Sequence, residues 1–162
     1  MKLLSLLCLL AVVSVPVAAQ APKPKPKTGA AAVSKSARTI EIVGSEQMKY
    51  SVTTIHARPN EQLHVVLKSV GTMPKMAMAH NFVLLTKDAS PLEVNNAALT
   101  ARETDFVPPS MKDKIIASTA LAGGGETVEV TFAAPSQPGS YTYLCTFPGH
   151  FTAGMKGELI VR

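Results

Sequence analysis

Cys145, His150 and Met155 follow one another at intervals of five residues in the run Cys145-Thr146-Phe147-Pro148-Gly149-His150-Phe151-Thr152-Ala153-Gly154-Met155. A thiolate, an imidazole and a thioether are soft or borderline ligands, and a loop this tight can turn all three toward one point. Zinc accepts Cys and His, but a thioether in the set argues for copper. Two His, one Cys and a weak axial Met make up the ligand set of copper electron-transfer sites, so the loop lacks one imidazole. Of the remaining histidines, His56, His64 and His80, the best placed is His80, which opens an expected strand after the turn around Pro74. Each residue alone has a duller reading. Met155 before a strand reads as core filling, Cys145 as a buried structural cysteine, and His80, like His56 and His64, as a hydrogen-bonded strand residue. The conjunction is what carries the chemistry, with Pro148 and Gly149 stiffening the loop.

Cysteine usage sharpens this reading. The chain holds two cysteines, and Cys8 lies in the apolar stretch from Leu3 to Val17, which follows Met1-Lys2 and ends in Val17-Ala18-Ala19. That is the pattern of an export signal cleaved after Ala19, with an uncleaved anchor as the alternative. Residues 1–19 are therefore expected to leave, taking Cys8 with them and placing the mature chain in the periplasm or another extracytoplasmic space. Cys145 is then alone. A single thiol in an oxidising compartment persists only if it is buried or held as a metal thiolate.

The elements that must position these residues are short strands. Residues 20–38 are rich in Ala, Pro and Lys, including Pro22-Lys23-Pro24-Lys25-Pro26-Lys27, and read as a disordered, extended linker. After Thr39 the hydrophobic pattern has period two. Strands are predicted at Thr39 to Val43, Met48 to Ile55, Gln62 to Ser69, Asn81 to Thr86, Lys114 to Thr119, Glu126 to Phe132, Ser140 to Cys145 and Lys156 to Val161. One short helix is predicted between Pro91 and Glu103, where Pro stands near its start. Eight strands with one helical excursion in residues 39–162 point to an all-β fold, a Greek-key β-sandwich.

Net charge is a weaker guide than it looks. The whole chain carries +5, but from Thr39 onward ten basic residues stand against eleven acidic ones. The excess sits in the signal and linker, so nothing favours nucleic acid as a partner. The basic linker is a candidate for contact with an anionic membrane surface, and also serves as a solubilising spacer.

The ligand loop Cys145-Thr146-Phe147-Pro148-Gly149-His150, followed by Met155-Lys156-Gly157, resembles that of azurins and auracyanins, blue copper proteins of the cupredoxin family. The resemblance extends to Met73-Pro74-Lys75, to Ala79-His80-Asn81-Phe82-Val83 and to Gly44-Ser45-Glu46-Gln47-Met48, and so covers nearly all of residues 39–162. It implies that His80, Cys145 and His150 are equatorial ligands of one copper and Met155 the axial one. It also implies that the Ala79 carbonyl lies near the metal, and that the Asn81 and Phe147 N–H groups face the Cys145 sulfur. The azurins' usual disulfide has no counterpart in a chain with one mature cysteine, and the gap from His150 to Met155 matches auracyanins and plastocyanins rather than azurins.

A non-enzymatic, monomeric one-electron carrier is the function this implies, with copper cycling between Cu(I) and Cu(II). Redox proteins would dock briefly on an apolar patch around His150 that includes Met78, Phe147, Pro148 and Ala153. Copper delivery or storage is the competing function, supported by Met73, Met76 and Met78 beside His80, a thioether-rich run suited to Cu(I). A copper oxidase or nitrite reductase would need further histidine clusters, and a binuclear centre a second loop cysteine.

Overall fold

The structure is a computed structural model that describes residues 37–162, so the expected signal segment and nearly all of the linker lie outside the described residues. In chain order the strands are β1 (Arg38–Ser45), β2 (Lys49–Tyr50), β3 (Thr54–Ala57), β4 (Gln62–Ser69), β5 (Ala79–His80) and β6 (Val83–Leu85). After helix α1 (Pro91–Ala98) and two 3-10 turns come β7 (Ile115–Ser118), β8 (Ala122–Gly123), β9 (Thr127–Ala133), β10 (Gly139–Leu144) and β11 (Lys156–Val161). They form one sheet in the order β2-β1-β4-β9, a second in the order β3-β11-β10-β6-β7, and the small pair β5-β8. Two pairings are parallel, β1 with β4 and β3 with β11.

Period-two patterning puts the two sheets face to face as a β-sandwich. In β1 and β4 the partners Ile40 and Val65, and Ile42 and Leu67, turn inward together, while Thr39 and Glu41 stay exposed. Opposite them lie Ile55, Leu84, Tyr141, Tyr143, Leu159 and Val161 of the second sheet, in one continuous buried cluster. Each fully buried aliphatic side chain contributes about 1.5–3 kcal/mol relative to exposure. Gly157 is forced by this packing, because a Cβ there would sit 2.3 Å from the Tyr143 hydroxyl carbon and oxygen.

The second sheet is covered on its outer face as well. Val83, Leu85 and Leu144 point outward against Val94 of α1, while their neighbours Leu84, Tyr143 and Cys145 point inward. Ser90 caps α1, its Oγ accepting the Glu93 N–H at 3.4 Å, and Pro91 occupies the first turn, where its missing N–H costs nothing.

Three predicted elements differ in detail. The single strand expected from Met48 to Ile55 is broken: β2 stays with the first sheet and β3 joins the second, so the chain crosses the sandwich between them. Met48, with φ of 55°, closes the turn before β2, donating its N–H to the Ser45 carbonyl at 2.8 Å. The strand expected from Asn81 to Thr86 is shortened to β6, and His80, expected to open it, instead lies on the separate strand β5, which pairs with β8 in a different sheet. The helix ends at Ala98 rather than Glu103, and a 3-10 turn at Arg102–Thr104 leads into Asp105 and Phe106, both left-handed.

Candidate metal centre

Cys145 follows directly on β10 and shares the inward face of Tyr141 and Tyr143, since side chains two apart lie on one side of a strand. Beyond it the chain folds back on itself within ten residues. The Cys145 N–H donates to the Met155 carbonyl at 3.1 Å and the Met155 N–H to the His150 carbonyl at 2.9 Å, closing the loop just before β11. The His150 N–H donates to the Phe147 carbonyl at 3.1 Å. Gly149 and Gly154 adopt φ of 86° and 87°, turns that a side chain would strain.

His80 arrives from the opposite direction, on β5. Its ring lies over Gly44 of β1, where an added Cβ would stand 2.9 Å from the imidazole carbons. Its Nε2 is buried with no hydrogen-bond partner among the described residues, so packing on Gly44 and the pairing of β5 with β8 hold the ring. The next residue joins the two segments. The Thr146 N–H donates to Asn81 Oδ1 at 2.9 Å, and Asn81 Nδ2 donates to Thr146 Oγ1 at 2.8 Å and to the Asp105 carbonyl at 2.9 Å.

The result is one convergent group. The donor atoms of His80, Cys145 and His150 all lie within 4.8 Å of one another, and among the described residues no other set of His, Cys, Asp or Glu side chains does this. The two Nδ1 atoms are 3.2 Å apart, and His150 Nδ1 is 3.4 Å from Cys145 Sγ. The Ala79 carbonyl oxygen stands 4.0 Å from the sulfur. His80, Cys145 and Met155 have no exposed surface and His150 has 2%. His56 and His64 are elsewhere: His56 is exposed on β3, and His64 pairs with Glu129 at 3.0 Å on the outer face of the first sheet.

Burial sets the electrostatics. It pushes both imidazoles down, His150 to about 4 with His80 as a second cause, so both rings are neutral and offer lone pairs at neutral pH. Burial also pushes the Cys145 thiol up to about 12, against the N–H groups of Asn81 and Phe147 and the Tyr50 hydroxyl, all of which favour the thiolate. Two neutral Nδ1 atoms at 3.2 Å have room for only one hydrogen between them, and no carboxylate is present to attract a hard ion. A soft or borderline cation that displaces the thiol proton fits this donor set.

Reading the sequence missed Tyr50, Gly44 and the Asn81–Thr146 clamp. A glycine on an otherwise β-branched strand and a tyrosine beside it were the available signals, but both become informative only when β1 and β5 are seen to cross. The apolar surroundings also differ from expectation. Phe147 is buried and Met78 half-buried, while Pro148 is exposed and lines a cleft of about 580 Å³ with Met76, Leu99, Phe106 and Leu121, rimmed by Lys75 and Arg102.

A family model described as copper binding proteins of the plastocyanin/azurin family matches residues 38–162. Auracyanin-B of Chloroflexus aurantiacus is 36% identical over 127 residues, covering 77% of this chain; the match spans only 52% of that longer protein. Azurin of Pseudomonas aeruginosa is 33% identical over 127 residues, covering 76% of this chain and 84% of the azurin. Among solved structures, the dithionite-reduced auracyanin of the photosynthetic bacterium Roseiflexus castenholzii superimposes with a TM-score of 0.68 at 32% identity, covering 76% of this chain and 96% of that one. Auracyanin A of C. aurantiacus, described as a "blue" copper protein, gives 0.68 at 33% identity, covering 77% and 98%.

Proposed function

Because the chain belongs to the plastocyanin/azurin family of copper-binding proteins, we propose that it carries single electrons on one copper held by His80, Cys145, His150 and Met155. The observation that carries this reading is the convergence of two imidazole nitrogens and one sulfur within 4.8 Å in a fully buried spot. Bound copper supplies a one-electron couple, Cu(I)/Cu(II). The rest is the protein's work. Two sheets and the Asn81–Thr146 clamp fix the donors, so a change of oxidation state meets the same ligand positions before and after. Phe147 and Phe106, packed edge to face with centroids 5.3 Å apart, help to exclude water. The Met155 thioether completes the set from the end of the loop.

One electron enters from a reduced partner and leaves to an oxidised one, with no substrate bond made or broken. The protein is therefore a carrier rather than an enzyme. Partners dock briefly beside His150, where Pro148 and the cleft around Met76 offer apolar surface next to the loop. Among the described residues no helix is long and apolar enough to cross a membrane. We place the mature domain as a monomer in an extracytoplasmic space, where its single thiol, buried and metal-bound, is safe from oxidation.

Titration of the purified protein with Cu(II), repeated with Cys145→Ser, tests the proposal. An intense red-region charge-transfer band at one copper per chain, bleached by reductant and missing from the variant, is the expected result. A colourless protein that instead takes up exchangeable Cu(I) on Met73 and Met76, which are 42% and 79% exposed, would replace electron transfer by copper delivery.

A further inference from the structure

Between β4 and β5 the chain runs over the surface, exposed at every residue from Val70 to Ala77, and this loop presents Met73 and Met76 before it delivers His80. Its internal bonding is one turn, in which the Ala77 and Met78 N–H groups donate to the Pro74 carbonyl at 2.8 and 3.0 Å. The anchor comes from outside. Glu46, in the turn between β1 and β2, accepts two successive backbone N–H groups on its Oε1, from Thr72 at 2.7 Å and from Met73 at 3.0 Å. These two bonds hold its carboxyl below the ordinary carboxylate range, so the acceptor is charged at neutral pH and the bonds are of the stronger, charge-assisted kind. Gly71, with φ of 142°, lies so close to the same carboxylate that a Cβ there has no room. From the other side Lys75 reaches Glu126 at 2.7 Å.

We propose that Glu46 is a positioning residue for electron exchange, holding the loop from Gly71 to Met76 in the shape that partners meet, an inference that rests on the electron-carrier reading above. Encounters between electron carriers are brief and their interfaces small, so little binding energy is on hand to order a loop at the moment of contact. A loop ordered beforehand has already lost that freedom. Glu46 does this in the free protein, by tying two consecutive amides of a segment with one turn of its own. The consequence falls on the docking face, because Lys75 and Met76 of this loop line the cleft beside Pro148. It does not fall on the donor atoms. His80 is held separately, by packing on Gly44 and by the pairing of β5 with β8. Glu46 acts through the loop and touches neither the imidazoles nor the sulfur.

Glu46→Ala deletes the acceptor, whereas Glu46→Gln keeps a side-chain oxygen able to take both N–H groups. Glu61→Ala is the matched control: Glu61 is a comparable clamp, accepting the Arg58 N–H at 2.8 Å and Arg38 Nε at 2.6 Å, but at the other end of β4. Electron self-exchange, amide hydrogen exchange at Thr72 and Met73, the visible spectrum and thermal unfolding are measured on the copper-loaded full chain. For Glu46→Ala the two amides should exchange about tenfold faster or more. Self-exchange should fall about threefold to tenfold while the spectrum keeps its wild-type band. Glu46→Gln restores most of the rate, and Glu61→Ala keeps it. An unchanged self-exchange rate in Glu46→Ala overturns the inference, as does an equal fall in Glu61→Ala or a failure of Glu46→Gln to restore the rate. If Glu46→Ala does not fold, Gly71→Ala, which forces the loop off the carboxylate, carries the test with the same fall expected. Should wild type itself give no thiolate-to-copper band, the copper-site reading fails, and that outcome is distinct from a blue protein indifferent to Glu46.

Discussion

The Cys145 thiol is the residue whose charge must change when a metal arrives. Burial holds it protonated up to about 12, while His80 and His150 are already neutral at pH 7, so copper uptake releases one proton, and that proton comes from the sulfur. Affinity should therefore rise roughly tenfold per pH unit between about pH 5 and 8. Titration calorimetry in buffers of different protonation enthalpy reads the proton count directly. A count of zero would mean the sulfur is not a ligand. Toward acid the sign stays the same: His150, held down to about 4, resists protonation in the fold but not in the unfolded chain. Stability is thus lost as pH falls from the ordinary histidine range toward 4. At this scale the sequence was legible for Cys145 and His150, which lie within one loop and converge as their spacing implied. His80 was legible only through its context and the family resemblance, because it comes from 65 residues earlier than Cys145. Tyr50 was not legible, since nothing local distinguishes a tyrosine that donates to the Asn81 carbonyl beside the site from one that only fills a core.

Elements, rather than single residues, decide whether these donors meet. β1 passes under β5 so closely that Gly44 has no room for a methyl group against the His80 ring. Gly44→Ala must push His80 or the strand aside, at a cost of about 1–3 kcal/mol in stability. Copper affinity should fall about 10- to 100-fold, as for loss of other groups that orient a ligand. Equilibrium competition with a chelator measures the affinity, and an unchanged value would show that the ring is placed by something other than this contact. Most strands were legible because alternation survives in β1, β4, β10 and β11, each of which has a buried and an exposed face. The breaks between β2 and β3, and between β5 and β6, were not. A chain that changes sheets keeps its alternation on both sides of the crossing, so composition continues smoothly where hydrogen-bond partners change.

Across the whole molecule, the loop that carries Cys145 and His150 meets solvent at Pro148, Gly149, Thr152 and Gly154, with His150 itself only 2% exposed beside them. Two copies can exchange an electron only by bringing these loops together. Met76, 79% exposed in the cleft beside Pro148, lies where such a contact forms. Met76→Lys places like charges opposite each other in that encounter, next to Lys75, and should slow electron self-exchange several-fold while the visible spectrum stays as it was. Line broadening in mixtures of reduced and oxidised protein gives the rate. An unaltered rate would move the docking face elsewhere.

The parallel pairing of β3 with β11 joins Thr54 to Glu158, across most of the domain. Long-range pairings of this kind close late and make sandwiches slow to fold, on the order of milliseconds to seconds. A chain delivered from its N-terminus cannot form this pair until its last residues have emerged, and the loop from Cys145 to Met155 immediately precedes them. There is consequently an interval in the life of each molecule during which the Cys145 thiol is neither enclosed nor ligated. The hazard to this protein is one of timing: oxidation threatens Cys145 during assembly, and docking of the final strand ends that exposure.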